Sequence, residues 1–208
     1  MSEDNEGKTF SVEVAEEMGV GDNPGGGDDR EQVMQKVLER KVELSSNYVK
    51  TPLVKSRRVK PADLDRLLED AKLMHEMTLI GRGEYTNAVA IAHTQVCNVD
   101  PLRFFVTAQG AIIVNPVIIG SNYVMKEVTE GCLSHPEEPM KTVPRLDKVQ
   151  VKFRTIMKDK DTGALKLSNE LDVERSALDS LVMQQMCLLL NGHTIYTSGK
   201  IMSDTKGE

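Results

Sequence analysis

The sequence Glu130-Gly131-Cys132-Leu133-Ser134 is the most distinctive stretch in this chain of 208 residues. Pro136 and the run Val143-Pro144-Arg145 follow it. The stretch lies inside a region of short predicted strands, residues 88–154, and a predicted helix follows later in the chain. The predicted strands and helices on either side of this stretch therefore indicate the fold class.

Short strands are predicted on both sides of this stretch. Three runs of β-branched or aromatic residues, bounded by turn residues, predict strands at 104–106, 111–114 and 149–153. Asn115-Pro116 is expected to end the second of them. The turn at residues 159–163 indicates a hairpin, and a further strand is predicted over residues 165–171.

Helices are predicted before and after these strands. Apolar residues recur at steps of three and four from residue 64 to residue 79, after Pro61, and predict an amphipathic helix. A second helix is predicted over residues 176–190, and a shorter one over residues 31–43. The order of helix, antiparallel strands and helix predicts an α+β domain rather than an alternating α/β sheet.

Composition argues against several classes of protein. No apolar run approaches the length of about 18 residues that a membrane span needs, and the N-terminus lacks a secretory signal pattern. A net charge of −6 with a pI near 5.4 disfavours a nucleic-acid-binding body, and we interpret the basic cluster at 55–60 as a solvated face. Three scattered cysteines form no disulfide framework, so a cytoplasmic location is expected.

The first 31 residues differ from the rest of the chain. They hold ten acidic and two basic side chains, and the Gly-rich run at 22–29 indicates a loop, so a solvated tail is expected. The alternative is an acidic arm that docks on a basic partner. Phe10, Val12 and Val14 alternate with polar residues, as in a short strand added to a neighbouring sheet edge. The predicted units are an acidic tail, a folded domain and a C-terminal tail, at residues 1–31, 32–199 and 200–208.

Three segments, in order, resemble the three signature motifs of the peptide deformylase family. Residues 130–134 are identical to the family's EGCLS. Residues 88–95 resemble the first motif, GxGLAAxQ, and keep its glutamine as Gln95. Residues 184–192 resemble the third motif, QHExDHLxG, and keep its first Gln, its Leu and its last Gly. The resemblance extends over roughly residues 45–199 and implies the deformylase fold, with antiparallel sheets around a C-terminal core helix.

The resemblance also implies where the family's chemistry resides. In the family, the EGCLS cysteine and the two histidines of HExxH hold an iron or zinc ion, and the glutamate carries a proton. The matching positions here are Cys132, Gln185 and Leu189, with Met186 in place of the glutamate. Leucine has no donor atom, a neutral amide is a poor ligand beside a thiolate, and methionine carries no proton. We therefore expect no metal, no cofactor and no catalytic residue of the family's kind.

Other motif positions keep the family's residues. In the family, the first-motif glutamine and the N–H of the second-motif leucine stabilise the oxyanion, and the second-motif glycine pairs with the substrate backbone. The matching residues are Gln95, Leu133 and Gly131, which predict a remaining groove for an extended peptide. Against this, Leu189 and its apolar neighbours on the helix predict repacking of the pocket as core. Cys132 is then expected to be a small buried hydrophobe.

The leading hypothesis is a catalytically inactive deformylase-like protein that binds a protein partner, or copies of itself, as a structural component. Deformylase-like genes also occur in bacteriophages, so a phage-encoded role in a virion is a further expectation. One alternative retains hydrolysis through Cys132 with His135, or through a metal bound near His93 and His135. Another is a peptide sensor that binds nascent N-termini through Gln95 and Leu133 without cleaving them.

Overall fold

The computed structural model describes residues 27–49, 53–83 and 87–197. The predicted strand at residues 10–14 and the C-terminal tail at 200–208 lie outside these ranges. Within the described part of the chain, no helix is both long enough and apolar enough to span a bilayer.

The described residues include three α-helices and nine strands. The helices are α1 (Gly27–Ser45), α2 (Leu64–Ile80) and α3 (Ala177–Leu190), with single 3-10 turns at Pro61–Asp63 and His93–Gln95. In chain order, the strands β1 to β9 are Ala90–Ala92, Phe104–Thr107, Ile112–Ser121, Met125–Glu130, Lys141–Leu146, Val149–Arg154, Ile156–Lys158, Leu165–Leu167 and Leu171–Glu174. This arrangement confirms the predicted α+β class.

A five-stranded antiparallel sheet separates two apolar cores. Its strand order is β1-β2-β3-β6-β9, while β4–β5 and β7–β8 form two separate ribbons. Because side chains alternate across a strand, Phe105 packs with residues of α3 on one face and Phe104 packs with residues of α2 on the other. The two helices thus cover opposite faces of the sheet, and α3 is the core helix that the resemblance implies.

The strand β3 differs from its prediction. Asn115-Pro116 does not end it, because β3 continues to Ser121 through an irregular register between Val114 and Val117. Asn115 has a φ of 53°, and its side-chain amide exchanges two hydrogen bonds with the backbone of Val59, at 2.8 and 3.0 Å. The amide thus satisfies the N–H and C=O of Val59, and the backbone N–H of Asn115 donates to the Arg103 carbonyl at 2.7 Å.

Three other elements differ from the sequence predictions. The strand predicted over 165–171 is two strands, β8 and β9, which belong to different sheets. The ribbon β4–β5 was not predicted, because most of its side chains are exposed and carry little apolar alternation. The helix α1 extends over Gly27–Ser45 and is longer than the helix predicted over residues 31–43.

The end of α3 depends on a glycine. Gly192 has a φ of 84°, and a Cβ atom there would lie 3.0 Å from the Lys55 nitrogen and 3.2 Å from the Leu53 oxygen. The close approach lets the segment that follows residue 52 pack against the helix end, where the Ser56 N–H donates to the Leu190 carbonyl at 2.9 Å. A larger residue is therefore excluded by both conformation and space.

We expect Gly192→Ala to lower the free energy of unfolding by about 2 kcal/mol or more, since it adds a steric clash to backbone strain. Gly163→Ala is the matched control, because Gly163 has a φ of 70° but its nearest neighbour is the end of a lysine side chain at 3.6 Å. Its expected loss is about 1 kcal/mol. Urea unfolding measures both variants, and equal losses would contradict the packing role of Gly192.

Candidate functional site

A cavity of about 280 Å³ lies where the three family-like segments meet. Residues 88–90 and Gln95 come from the first segment, residues 130–133 from the second, and Gln185, Met186 and Leu189 from the third. The structure therefore brings together every motif position that matches the family's site, whereas His93 and His135 do not line the cavity. Leu189, Met186 and Cys132 also belong to the apolar core on this face of the sheet, although a space remains beside them. The other apolar lining residues are Val128, Met140, Leu181 and Val182.

Gln185 ties the C-terminal helix to the loop that follows β4. Its Nε2 donates a hydrogen bond of 2.8 Å to the carbonyl oxygen of Gly131. This glutamine stands where the family resemblance implies the first histidine ligand. A neutral hydrogen bond therefore joins two elements here that a metal ion would join in the family.

Two further hydrogen bonds complete the links between the segments. The Gln95 amide accepts from the Ala92 N–H at 2.9 Å and donates to the Ser134 hydroxyl at 3.2 Å, which joins the first segment to the second. The Thr94 hydroxyl donates to the Leu189 carbonyl at 2.9 Å, which joins the first segment to the third. The sequence reasoning missed Thr94 and Ser134 as linking residues, although both lie next to or inside the motifs.

Cys132 is buried, with 4% of its surface exposed. Burial raises the pKa of its thiol above the ordinary value, and hydrogen bonds from Ser134 and from the His135 backbone oppose that rise only in part. Burial thus disfavours the thiolate form of Cys132 and lowers the reactivity of this side chain. This agrees with the expectation of a small buried hydrophobe.

The side chain of His135 contacts residues other than Cys132. Its Nε2 lies 3.5 Å from the Thr194 hydroxyl, and its ring packs edge-on against Tyr196 with a centroid distance of 5.1 Å. Its Nδ1 lies 3.9 Å from a Glu137 carboxylate oxygen. These contacts give no support to a pair in which His135 activates Cys132.

His93 makes structural contacts on the face of the sheet that α2 covers. It is 1% exposed, its Nδ1 accepts the Leu102 N–H at 2.8 Å, and its Nε2 lies 3.1 Å from Asp70. Because Nδ1 accepts, the proton is assigned to Nε2, which donates to the Asp70 carboxylate. Both ring nitrogens are therefore occupied, and the alternative of a metal held by His93 is not supported.

The donor set of the cavity does not fit a transition-metal ion. The positions that match the family's ligands hold a buried thiol, an amide whose nitrogen donates to a backbone carbonyl, and a leucine. Among residues 27–49, 53–83 and 87–197, no group of three His, Cys, Asp or Glu side chains is placed to hold a metal. A catalytic zinc site takes three protein ligands, which this arrangement lacks.

A buried ion pair lies beside the cavity. Glu130 and Arg145 form a two-point contact of 2.8 and 2.9 Å, and they are 8% and 6% exposed. The pair holds the end of β4 to β5 and neutralises the carboxylate of Glu130, which lines the cavity. The cavity is thus apolar and electrically neutral, which suits an uncharged occupant.

Comparison with known proteins agrees with this fold. The family model for polypeptide deformylase matches residues 55–198. A class I type b peptide deformylase from Acinetobacter baumannii matches with a TM-score of 0.54 and 25% identity, over 72% of this chain and 99% of that chain. The Thermotoga maritima enzyme matches with a TM-score of 0.54 and 24% identity, over 69% of this chain and 86% of that chain.

A plant structure is similar in the same way. Peptide deformylase 1B from Arabidopsis thaliana, solved with an inhibitor, matches with a TM-score of 0.55 and 20% identity, over 76% of this chain and 82% of that chain. No curated protein sequence matches this chain. The fold is therefore the α+β fold of the peptide deformylases. The chain belongs to the polypeptide deformylase family.

We expect Gln185→Leu to lower the free energy of unfolding by about 1 kcal/mol, because it removes the hydrogen bond to the Gly131 carbonyl at nearly constant volume. Gln109→Leu at an exposed turn position is the control, with an expected change within about 0.5 kcal/mol. Thermal unfolding of both variants measures the effect. A Gln185 variant as stable as the control would show that this hydrogen bond does not hold the two segments together.

Proposed function

We propose that this chain is a catalytically inactive member of the family that acts as a protein-binding component of an assembly. The observation that carries the proposal is the hydrogen bond from Gln185 to Gly131. It places a neutral amide, already committed to a backbone carbonyl, at a position where the family's chemistry needs a metal ligand. Leu189 supplies no second ligand, since it has no donor atom.

The acid–base chemistry points the same way. Hydrolysis of a formamide needs an activated water and a group that moves its proton. Met186, at the proton-carrying position, has no ionisable group, and burial raises the pKa of the Cys132 thiol. His135 and His93 are engaged elsewhere. No side chain that lines the cavity therefore supports the family's reaction.

The features that remain suit the binding of an extended segment. β4 pairs with β5 alone in the described ranges, so its outer edge has no strand partner there, whereas all three residues of β1 are buried. Val89 and Met140 line the cavity and are 64% and 56% exposed, which gives it an apolar rim. Main-chain pairing along such an edge needs no metal ion. We propose a protein partner or a second copy of this chain as the binding component.

The proposal includes a cytoplasmic location, or a virion if the gene is phage-encoded. Cys97, Cys132 and Cys187 are all free thiols, which is in keeping with a reducing compartment.

A peptide sensor is the second candidate function. Gln95, Gly131 and Leu133, which match the family positions that contact substrate, all line the same cavity. Titration of the full chain with a labelled formyl-Met peptide separates the two candidates. Saturable binding below the millimolar range favours the sensor, and its absence favours a partner of another sequence.

We expect no formate release when the purified chain is incubated anaerobically with a formyl-Met peptide and iron(II), nickel(II) or zinc(II). The physical reason is the absence of two ligands and of the proton carrier at the matching positions. An active deformylase serves as the positive control. Metal-dependent turnover that Cys132→Ala abolishes would overturn the proposal.

We expect the triple variant Gln185→His, Met186→Glu and Leu189→His to gain a metal site. Two histidines four residues apart share one helix face and would join Cys132, which lines the same cavity. Cobalt(II) titration monitors the thiolate-to-metal absorption band, and the same variant with Cys132→Ser is the matched control. An equally strong band in the unmodified chain would contradict the loss of the metal site.

A further inference from the structure

The cavity has room for a side chain that the described residues do not supply. Its volume is about 280 Å³, and Leu181, Val182 and Met186 give it an apolar wall. An apolar cavity of about 150 Å³ is large enough to hold a benzene ring. This one therefore has space for an aromatic side chain together with part of the backbone that carries it.

A segment of this chain outside the described residues has the matching pattern. Residues 9–14 read Thr-Phe-Ser-Val-Glu-Val, so Phe10, Val12 and Val14 share one face of an extended strand. Aromatic and β-branched residues are those that sheets prefer. An apolar face of this kind suits a strand that pairs with an open sheet edge above an apolar cavity.

The length of the chain allows the segment to reach the cavity of its own molecule. The helix α1 has 19 residues and therefore spans about 28 Å. It leads to Val49, whose N–H donates to the carbonyl of Gln95 at 2.7 Å, and Gln95 lines the cavity. Residues 15–26, when extended, cover up to about 40 Å. They are long enough to return along α1 and place Val14 beside the cavity.

The charges are complementary. Glu13, Glu16 and Glu17 accompany the apolar residues of the segment. Arg82 donates to the carbonyl of the lining residue Leu133, and Lys141 lies opposite Glu130 in the β4–β5 register. Glu13 within the segment, and Glu16 and Glu17 after it, would thus lie near cationic side chains at the rim of the cavity.

We propose that residues 9–14 occupy the cavity of their own chain as an extended segment beside residues 88–90 and 128–130, which line it, with the Phe10 ring in the apolar space. The proposal rests on the proposed function in one respect, namely that the cavity accepts an extended segment in place of a metal-bound substrate. A partner that binds there must displace the segment, so partner binding releases the acidic arm.

The test measures the accessibility of Cys132 in the full-length chain. All variants carry Cys97→Ser, so that two buried thiols remain: Cys132, which lines the cavity, and Cys187, which does not. Phe10→Asp removes the ring and adds a charge on the proposed inner face. Ser11→Asp adds the same charge on the opposite face and is the matched control.

We expect iodoacetamide to alkylate Cys132 about tenfold faster or more in the Phe10 variant, because a buried phenylalanine has been lost, and at an unchanged rate in the Ser11 variant. Peptide mass spectrometry assigns the modified thiol, and slow labelling of Cys187 throughout confirms that the fold is intact. Equal Cys132 rates in the two variants overturn the proposal. Protection that increases with protein concentration also overturns it, since it assigns the segment to a second copy.

These outcomes are separate from those that test the proposed function. Formate release would contradict the proposal that the protein is catalytically inactive, whatever the alkylation rates are. Equal alkylation rates would contradict the proposed position of residues 9–14. They would not contradict the proposed function, because another partner could still bind in the cavity.

Discussion

The hydrogen bond between the Gln185 amide and the Gly131 carbonyl is the contact on which the site depends. It joins α3 to the loop after β4, and the links from Thr94 to Leu189 and from Gln95 to Ser134 complete the set. Each neutral hydrogen bond of this kind contributes roughly 1 kcal/mol to stability. The three segments therefore also need the two apolar cores on either side of the sheet to hold them in place.

The chain keeps the fold of the family, but Gln185 and Leu189 stand at the positions that match the family's histidine ligands. A metal ion would join the same segments and also polarise a substrate, whereas the amide of Gln185 joins them without adding charge. The remaining lining carboxylate, Glu130, is neutralised by Arg145. The described residues thus surround an apolar cavity beside the loop that follows β4, and the proposed function assigns this cavity to the binding of a peptide segment.

Much of this could be predicted from the sequence, and the successes have a common cause. The α3 helix and the buried strands follow from apolar periodicity, and residues 130–134 match a family motif without change. Gln185 and Leu189 are four residues apart, so their placement on one helix face was also predictable. These are local properties that a pattern of a few residues specifies.

The errors concern properties that depend on distant contacts. Asn115-Pro116 looks like a strand end, but the backbone of Val59 supplies partners for the Asn115 amide and the strand continues. The ribbon β4–β5 shows little apolar alternation because most of it is exposed. The space beside Leu189 depends on how α3 sits against β1 and residues 130–133, which no short pattern encodes.

The most direct test of the central claim is the metal content and chelator response of the purified chain. Elemental mass spectrometry measures iron, nickel and zinc, and urea unfolding is compared with and without a chelator. The account predicts well under one equivalent of metal and an unchanged free energy of unfolding, since hydrogen bonds hold the three segments. One equivalent of metal per chain, whose removal lowers that free energy, would contradict it.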